Sequence, residues 1–225
     1  MKDIGPNIRL IDYPLNLFGM KMGRNVTVFR LSSGKLVIHS TAPFSDTDVT
    51  ALQSFGEPGW LLEATNFHDT FAHRGAAVFP DLPYFVPEGF SPSGRLSTLS
   101  LEEAPVEWEG ELEVVKIEGM PKINEHVFFH PSSKTLVVAD LIFNIPDSAG
   151  SFTLGFLGFI SGIKEHPGNS RIFRMAIADR DAFVKSLQQI LALDFEQIVV
   201  GHGDPINTNA KETLTRIFRE LEFAV

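Results

Sequence analysis

The chain has 225 residues, a formal net charge of −9, a hydrophobic content of 44% and no cysteine. The negative charge argues against nucleic acid and membrane surfaces as partners, and the lack of cysteine excludes disulfides, thiolate catalysis and cysteine-ligated zinc. Because the N-terminus lacks a signal-peptide core and no apolar run reaches the ~20 residues of a membrane-spanning helix, we expect one soluble, cytoplasmic domain over residues 1–225.

The hydrophobic pattern predicts strands and helices in mixed order along the chain. Strands are predicted over residues 25–31, 35–40, 60–65, 84–86, 112–117, 125–130, 134–140 and 197–200. Helices are predicted over residues 48–55, from Gly75 onward, over 181–193 and over 211–222. Gly34 predicts a tight turn after the first strand, and Ser45 or Asp46 can cap the first helix. Two hairpins and two strand–helix units favour a layered mixed fold over a doubly wound parallel sheet.

A strongly apolar segment, residues 152–163, carries Gly155, Gly158 and Gly162. One interpretation is a buried helix whose glycines allow close packing. The other is an apolar cover over a functional site or a contact with a second copy of the chain, because large exposed apolar patches are rare on monomers. Of these last two possibilities, we favour the contact between two copies of the chain, and we therefore expect a homodimer.

Polar residues with metal-binding chemistry follow three of the predicted strands. His68 and His73 lie in the turn after the third strand, Asp140 ends the seventh, and His202 follows the eighth. Strand ends are where α/β folds tend to place their chemistry, and imidazole nitrogen and carboxylate oxygen are good ligands for zinc or iron. We therefore expect three strand ends to converge on one site.

Three motifs in this order resemble the metallo-β-lactamase superfamily. Residues 199–205, Val-Val-Gly-His-Gly-Asp-Pro, match its late Gly-His-Gly motif, whose histidine binds metal. Residues 136–143 match its strand ending in Gly-Asp, whose carboxylate bridges two metals, with Ala139 in place of the glycine. Residues 65–75 occupy the place of its His-x-His-x-Asp-His motif.

The resemblance covers roughly residues 20–222. It implies a four-layer αβ/βα sandwich, in which two sheets pack face to face with helices outside. The sequences around residues 37–43 and 125–131 look like a branch of the superfamily with a degenerate metal motif and no assigned activity.

The motif at residues 65–75 departs from the superfamily pattern, and two alignments remain open. In the first, Thr65 takes the place of the leading threonine, so that His68 keeps the second histidine while the first and third are lost. In the second, shifted by two residues, His68 is the first histidine and His73 the third. In both, at least two ligands are missing, and no histidine stands near Gly119, where the superfamily has its fourth. A complete two-metal site is therefore not expected.

The ligand candidates that remain for one ion at most, zinc or iron, are His68, His73, Asp140 and His202. The resemblance then implies a metal-dependent hydrolase of a small ester, lactone or phosphoester, with Asp140 as ligand and proton acceptor and Asp69 as a further general base. The alternative is a metal-free, non-catalytic protein that keeps the fold and binds a small molecule in a pocket that includes Asn66. Both hypotheses name a small-molecule substrate or ligand.

Overall fold

The computed structural model describes residues 1–17, 19–163, 167–223 and 225. Its strands are β1 (Lys2–Gly5), β2 (Ile8–Tyr13), β3 (Asn16–Leu17), β4 (Met20–Lys21), β5 (Arg24–Arg30), β6 (Lys35–His39), β7 (Glu57–Leu62), β8 (Tyr84–Val86), β9 (Leu99–Ser100), β10 (Glu113–Lys116), β11 (His126–His130), β12 (Thr135–Val137) and β13 (Gln197–Val199). Its helices are α1 (Asp46–Phe55), α2 (Ala72–Val78), α3 (Ser151–Ser161), α4 (Arg171–Met175), α5 (Arg180–Ala192) and α6 (Ala210–Glu220).

Two mixed sheets hold most of these strands. The larger has the order β1-β2-β5-β6-β7-β8-β9, in which the first four strands are antiparallel neighbours and β6 to β9 run parallel. The smaller has the order β10-β11-β12-β13, in which β13 runs parallel to β12. A separate pair joins β3 to β4.

Local sequence signals explain two of these elements. Gly34 joins β5 to β6 with a φ of 85°, a left-handed conformation that glycine adopts without strain. Ser45 caps α1, because its side chain accepts a hydrogen bond from the Asp48 N–H while the Asp48 carboxylate accepts one from the Ser45 N–H. The helix therefore begins where the sequence predicts.

The larger sheet is buried on both faces. Val37 points toward the smaller sheet and joins a core that includes Phe128. Its neighbour Ile38 points the opposite way and packs with Leu52 of α1 and Ala72 of α2. Alternation along the strands thus directs apolar side chains into two different layers.

The smaller sheet is also buried on both faces. Val137 faces the larger sheet, whereas Leu136 and Ile198 share a core with Leu187 of α5 and Phe218 of α6. The layers therefore run from α1 and α2 through the larger and smaller sheets to α4, α5 and α6. This order confirms the predicted four-layer αβ/βα sandwich.

The apolar segment forms the helix α3, and of its two interpretations the fully buried helix is wrong. Phe152 is 66% exposed and Phe159 is 80% exposed. Apart from the neighbouring residues and backbone of α3 itself, no described atom lies within 4 Å of the position that a Cβ would take at Gly155, so this glycine does not serve close packing against another element. Within α3, the side chains of Phe156, Leu157, Ile160 and Ser161 are not described. Among the described residues, no helix combines the length and apolarity that crossing a membrane requires.

Candidate metal centre

Strand register brings two of the predicted ligands together. β12 and β13 run parallel, with Val137 opposite Val199. Asp140 and His202 each lie three residues further along (137 to 140 and 199 to 202), so both leave the smaller sheet at the same edge. Neighbouring parallel strands therefore place the carboxylate beside the imidazole.

The third residue, His68, comes from the larger sheet, in the turn that follows β7. Backbone hydrogen bonds tie this turn to the smaller sheet. The Asn66 N–H donates to Ile123 O at 2.9 Å, and the His126 N–H donates to Ala64 O at 2.7 Å. The site therefore lies where the edges of the two sheets meet.

These three side chains form a compact, buried cluster. Asp140 Oδ1 lies 3.5 Å from His68 Nε2 and 3.6 Å from His202 Nε2. The three candidate ligand atoms all lie within 4.8 Å of one another. His68 is 3% exposed and His202 is 4% exposed. The structure thus brings together three of the four residues predicted as metal ligands.

Hydrogen bonding and burial determine the tautomer and the protonation state of His202. Its Nδ1 lies 2.6 Å from Gly23 O, so Nδ1 carries the proton and donates it. Burial and then the nearby His68 lower the pKa of His202 to about 3, so that Nε2 keeps a free lone pair at neutral pH. Burial opposes ionisation of Asp140, but His68, His202 and Arg24 together favour it and lower its pKa to about 2. Two electron-pair donors therefore face each other with no proton between them.

This donor set fits a metal ion. Nitrogen and carboxylate ligands bind zinc at about 2.0–2.2 Å, so two ligand atoms on a tetrahedral ion lie about 3.3–3.6 Å apart. The two distances from Asp140 Oδ1 agree with that value. Neither ring nitrogen of His68 has a hydrogen-bond partner among the described residues, although the side chain is buried. Donation of the second ring N–H, as in His202, is typical of metal-binding histidines.

A buried glutamate holds the strand end that carries Asp140. Glu125 accepts hydrogen bonds from the N–H groups of Ala139, Asp140 and Leu141 at 2.9, 3.0 and 3.1 Å. Burial, reinforced by the charge of Asp140, raises the pKa of Glu125 to about 8, and the three N–H donors oppose this shift. Loss of this carboxylate would leave three backbone donors without an acceptor.

Gly201 and Gly203 flank the site histidine for steric reasons. A Cβ at Gly201 would lie 2.6 Å from Ala139 O and 3.0 Å from His68 Cε1. Gly203 has a φ of 101°, and a Cβ there would collide with Asn144 O. The Gly-His-Gly motif therefore permits the close approach of the β13 end to the other parts of the site.

A cavity of about 360 Å³ adjoins the cluster, and His68, Asp140 and His202 belong to its lining. Most of the lining is apolar and includes Met20, Met22, Phe143, Ile145, Ile163 and Phe173. The ring of Phe143 stacks on that of His202 with a centroid separation of 5.5 Å. A concave, mostly apolar space with a few convergent polar groups is typical of small-molecule sites.

The structure does not bring His73 to the cluster. α2 buries Ala72 and Gly75, which share one face at a spacing of three residues, and His73 is exposed on another face, beside Gly94. The position of His73 supports the alignment that begins at Thr65. Three candidate metal ligands therefore remain: His68, Asp140 and His202.

Two other predicted site residues also lie apart from the cluster. Asn66 does not line the cavity, because its side-chain amide turns away and donates to Glu88 O at 3.2 Å. Asp69 is exposed in the turn. Its neighbours His68 and Thr70 both line the cavity, which places Asp69 near the rim.

The site also contains a buried polar network that the sequence did not reveal. Glu63 accepts hydrogen bonds from the Thr41 N–H at 2.7 Å and from the hydroxyls of Ser40 and Tyr84 at 3.1 Å. Ser40 Oγ in turn accepts a hydrogen bond from Arg24 Nη1 at 2.7 Å. An arginine at the start of a strand ordinarily predicts solvent exposure, and no pattern in the sequence marks this one as buried.

No protein-family model and no curated protein matches this chain by sequence. Solved structures match it over nearly its full length. The DIM-1 metallo-β-lactamase has a TM-score of 0.65 at 17% identity, with 98% of this chain and 96% of that chain covered. VMB-1 has a TM-score of 0.64 at 10% identity, with coverages of 98% and 96%. A metallo-β-lactamase from Pontibacter korlensis has a TM-score of 0.60 at 12% identity, with coverages of 96% and 97%. The likeness at these identities concerns the fold alone, and this chain has the metallo-β-lactamase fold.

Proposed function

We propose that the protein is a metal-dependent hydrolase of a small ester, lactone or phosphoester, with one zinc or iron ion held by His68, Asp140 and His202. The observation that carries this proposal is the pair of electron-pair donors, His202 Nε2 and Asp140 Oδ1, that face each other at 3.6 Å. A cation bound between these two atoms would replace their unfavourable contact with two favourable ones. The fold and the adjoining cavity of about 360 Å³ are further support.

The residues around the cluster suit separate roles in such an enzyme. His68, Asp140 and His202 would hold the ion, which would supply a Lewis acid able to lower the pKa of a bound water toward neutral pH. A pKa of about 2 keeps Asp140 ionised, which suits a ligand and makes it a weak proton acceptor. Asp69, exposed between two residues that line the cavity, is therefore the stronger candidate for the general base. The hydrogen bond from His202 Nδ1 to Gly23 O orients the imidazole.

Elemental analysis of untagged protein, purified without chelator, tests the metal site. We expect about one equivalent of zinc or iron, and its loss in Asp140→Asn and His202→Ala, because each variant lacks one of three ligands. His73→Ala is the matched control, since it removes an exposed histidine outside the cluster and should retain the ion. A parent protein that takes up less than roughly a tenth of an equivalent, even after incubation with zinc or iron, would overturn the metal site.

Hydrolysis assays then separate the substrate classes. A p-nitrophenyl ester, a lactone and bis(p-nitrophenyl) phosphate present the three reacting groups in turn. Activity that is lost in Asp140→Asn and kept in His73→Ala supports the proposed site. Activity that does not depend on the metal content of the protein contradicts it.

A second candidate function is metal-free binding of a small molecule. It is favoured by Arg24, which is buried in the cavity lining and supplies a permanent positive charge near Asp140 without any metal. This hypothesis predicts that added zinc leaves the melting temperature unchanged, since only a species that binds the native state stabilises it. A rise of several degrees that is absent in His202→Ala would exclude it.

A further inference from the structure

The buried side chain of Arg24 is unusual in its surroundings. It is 2% exposed and lines the same cavity as His68 and Asp140. Its guanidinium group carries five N–H donors and stays charged inside proteins. Burial of such a group without partners is strongly unfavourable, so native structures normally pair it with acceptors.

The described residues offer this guanidinium few acceptors. Nη1 donates to Ser40 Oγ at 2.7 Å, and Nε has no partner. Arg24 takes part in none of the ion pairs within 4.0 Å that the described residues form. Its hydrogen-bonded link to Glu63 runs through Ser40, whose hydroxyl donates to Glu63 Oε2 at 3.1 Å. Among the described residues, therefore, no carboxylate forms a direct ion pair with Arg24, and the negative charges that act on it most strongly are those of Glu63 and Asp140.

The backbone beside Arg24 is strained. Ser40 has a φ of 71°, a left-handed conformation that is unfavourable for a residue with a Cβ. The hydroxyl of the same residue accepts a hydrogen bond from Arg24 Nη1 and donates one to Glu63 Oε2. Strain of this kind is concentrated at binding and catalytic sites.

Most of the residues that line the cavity beside Arg24 are apolar. Met20, Met22, Phe143 and Ile145 belong to one apolar cluster and line it together. Among the described lining residues, Arg24 is the only lysine or arginine. A ligand that matches both features has an apolar chain and one anionic group.

We propose that Arg24 binds the anionic head group, a carboxylate or a phosphate, of a small molecule whose apolar chain lies against Met20, Met22 and Phe143. As a statement about the substrate, this inference rests on the proposed hydrolase, because it restricts the ester or lactone to one that carries such a chain and a separate anionic group. As a statement about binding, it requires no metal.

Titration calorimetry of chelator-treated, metal-free protein with octanoate tests the binding site. Octanol keeps the chain and removes the charge, octyl phosphate exchanges the head group, and acetate removes the chain. We expect octanoate to bind at least about tenfold more tightly than octanol, because its carboxylate forms an ion pair with the guanidinium group, whereas the hydroxyl of octanol is a neutral acceptor. Acetate should show no measurable binding. Tighter binding of octyl phosphate than of octanoate would assign the head group as a phosphate.

Variants of Arg24 attribute the preference to this residue. Arg24→Gln should weaken octanoate binding by about 10- to 100-fold and leave octanol binding unchanged, because only the charged head group loses its partner. Arg24→Lys keeps the charge and should retain part of the preference. Arg216→Gln removes an exposed arginine of α6 and is the matched control, which should bind octanoate as the parent does.

Equal affinity of the parent for octanoate and octanol would overturn the inference. A folded Arg24→Gln protein that keeps the preference would do the same. If Arg24→Gln does not fold, the ratio of the two affinities in the parent decides the matter, since no other lysine or arginine is among the described lining residues.

The test also distinguishes this inference from the proposed hydrolase. Octanoate binding that depends on Arg24, in a protein that takes up no metal, would support the inference and overturn the hydrolase. Metal-dependent hydrolysis without any preference for octanoate over octanol would do the reverse.

Discussion

Replacement of Gly201 by alanine tests whether the end of β13 must lie as close to the site as it does. A Cβ at this position would lie 2.6 Å from Ala139 O and 3.0 Å from His68 Cε1. Non-bonded carbon atoms pack best at about 3.5–4.0 Å, so the strand ends must separate, or the imidazole must move, by roughly 0.5–1 Å. The substitution therefore acts on both the packing of the smaller sheet and the position of a candidate ligand.

The expected effect follows from the size of this overlap. Insertion of a methyl group into a packed region destabilises a protein by roughly 1–3 kcal/mol. Since 1 kcal/mol shifts the melting temperature of a domain of this size by about 2–4 °C, we expect Gly201→Ala to lower it by roughly 2–12 °C. Displacement of His68 should also weaken zinc binding by about 10- to 100-fold, as loss of ligand orientation does at other metal sites.

Thermal unfolding with and without zinc measures both effects in one experiment. Gly155→Ala is the matched control, because no described atom lies within 4 Å of the added methyl group on α3. It should leave the melting temperature unchanged or raise it slightly, since alanine favours a helix more than glycine does. A Gly201→Ala protein that melts with the parent and binds zinc with the parent's affinity would refute the argument.

Three further predictions concern other parts of the molecule. Burial lowers the pKa of both His126 and His130 to about 4, so the unfolded state, with values near ~6.5, takes up protons first as the pH falls. Above pH ~6.5 these two histidines should not reduce the free energy of unfolding. Between about pH 6.5 and 4, the free energy of unfolding should fall by up to about 1.4 kcal/mol per pH unit for each histidine. Urea midpoints that stay constant over this range would contradict the prediction. Ser45→Ala removes the cap of α1 and should lower the free energy of unfolding, measured in urea, by about 0.5–2 kcal/mol. We also expect the exposed Phe152 and Phe159 to contact a second copy of the chain, so that the double serine variant sediments as a smaller species than the parent; an unchanged sedimentation coefficient would remove the dimer proposal.

The sequence predicted elements whose causes are local. The β5–β6 turn depends on Gly34, and the start of α1 depends on Ser45 and Asp48, all of which act within a few residues. The N-terminal strands β1 and β2 were missed, because their stability depends on distant pairing, such as that of Ile8 with Phe29. The sequence could not decide between a buried and a partly exposed α3, since an apolar composition does not show what the helix packs against.

In the candidate site, too, some residues could be predicted from the local sequence and others depend on packing. Asp140 and His202 could be predicted because each lies a few residues beyond a short apolar strand, and neighbouring parallel strands bring such positions together. His73 is a candidate because the second alignment of residues 65–75 gives it the place of the third histidine. Its direction depends on which face of α2 is buried, and only the packing of Ala72 and Gly75 determines that.

The burial of Arg24 could not be predicted from the sequence, because it results from the contacts that its neighbours make. The residue before it, Gly23, accepts the hydrogen bond from His202 Nδ1. The residue after it, Asn25, donates from its side-chain amide to Val200 O and to Gly203 O, both at 2.7 Å. Residues on both sides of Arg24 are thus tied to the segment that carries the site histidine, so the start of β5 cannot turn toward solvent without breaking these bonds. The same contacts that orient a candidate metal ligand therefore place Arg24 among the residues that line the cavity, and a molecule bound to Arg24 would share one cavity with the cluster.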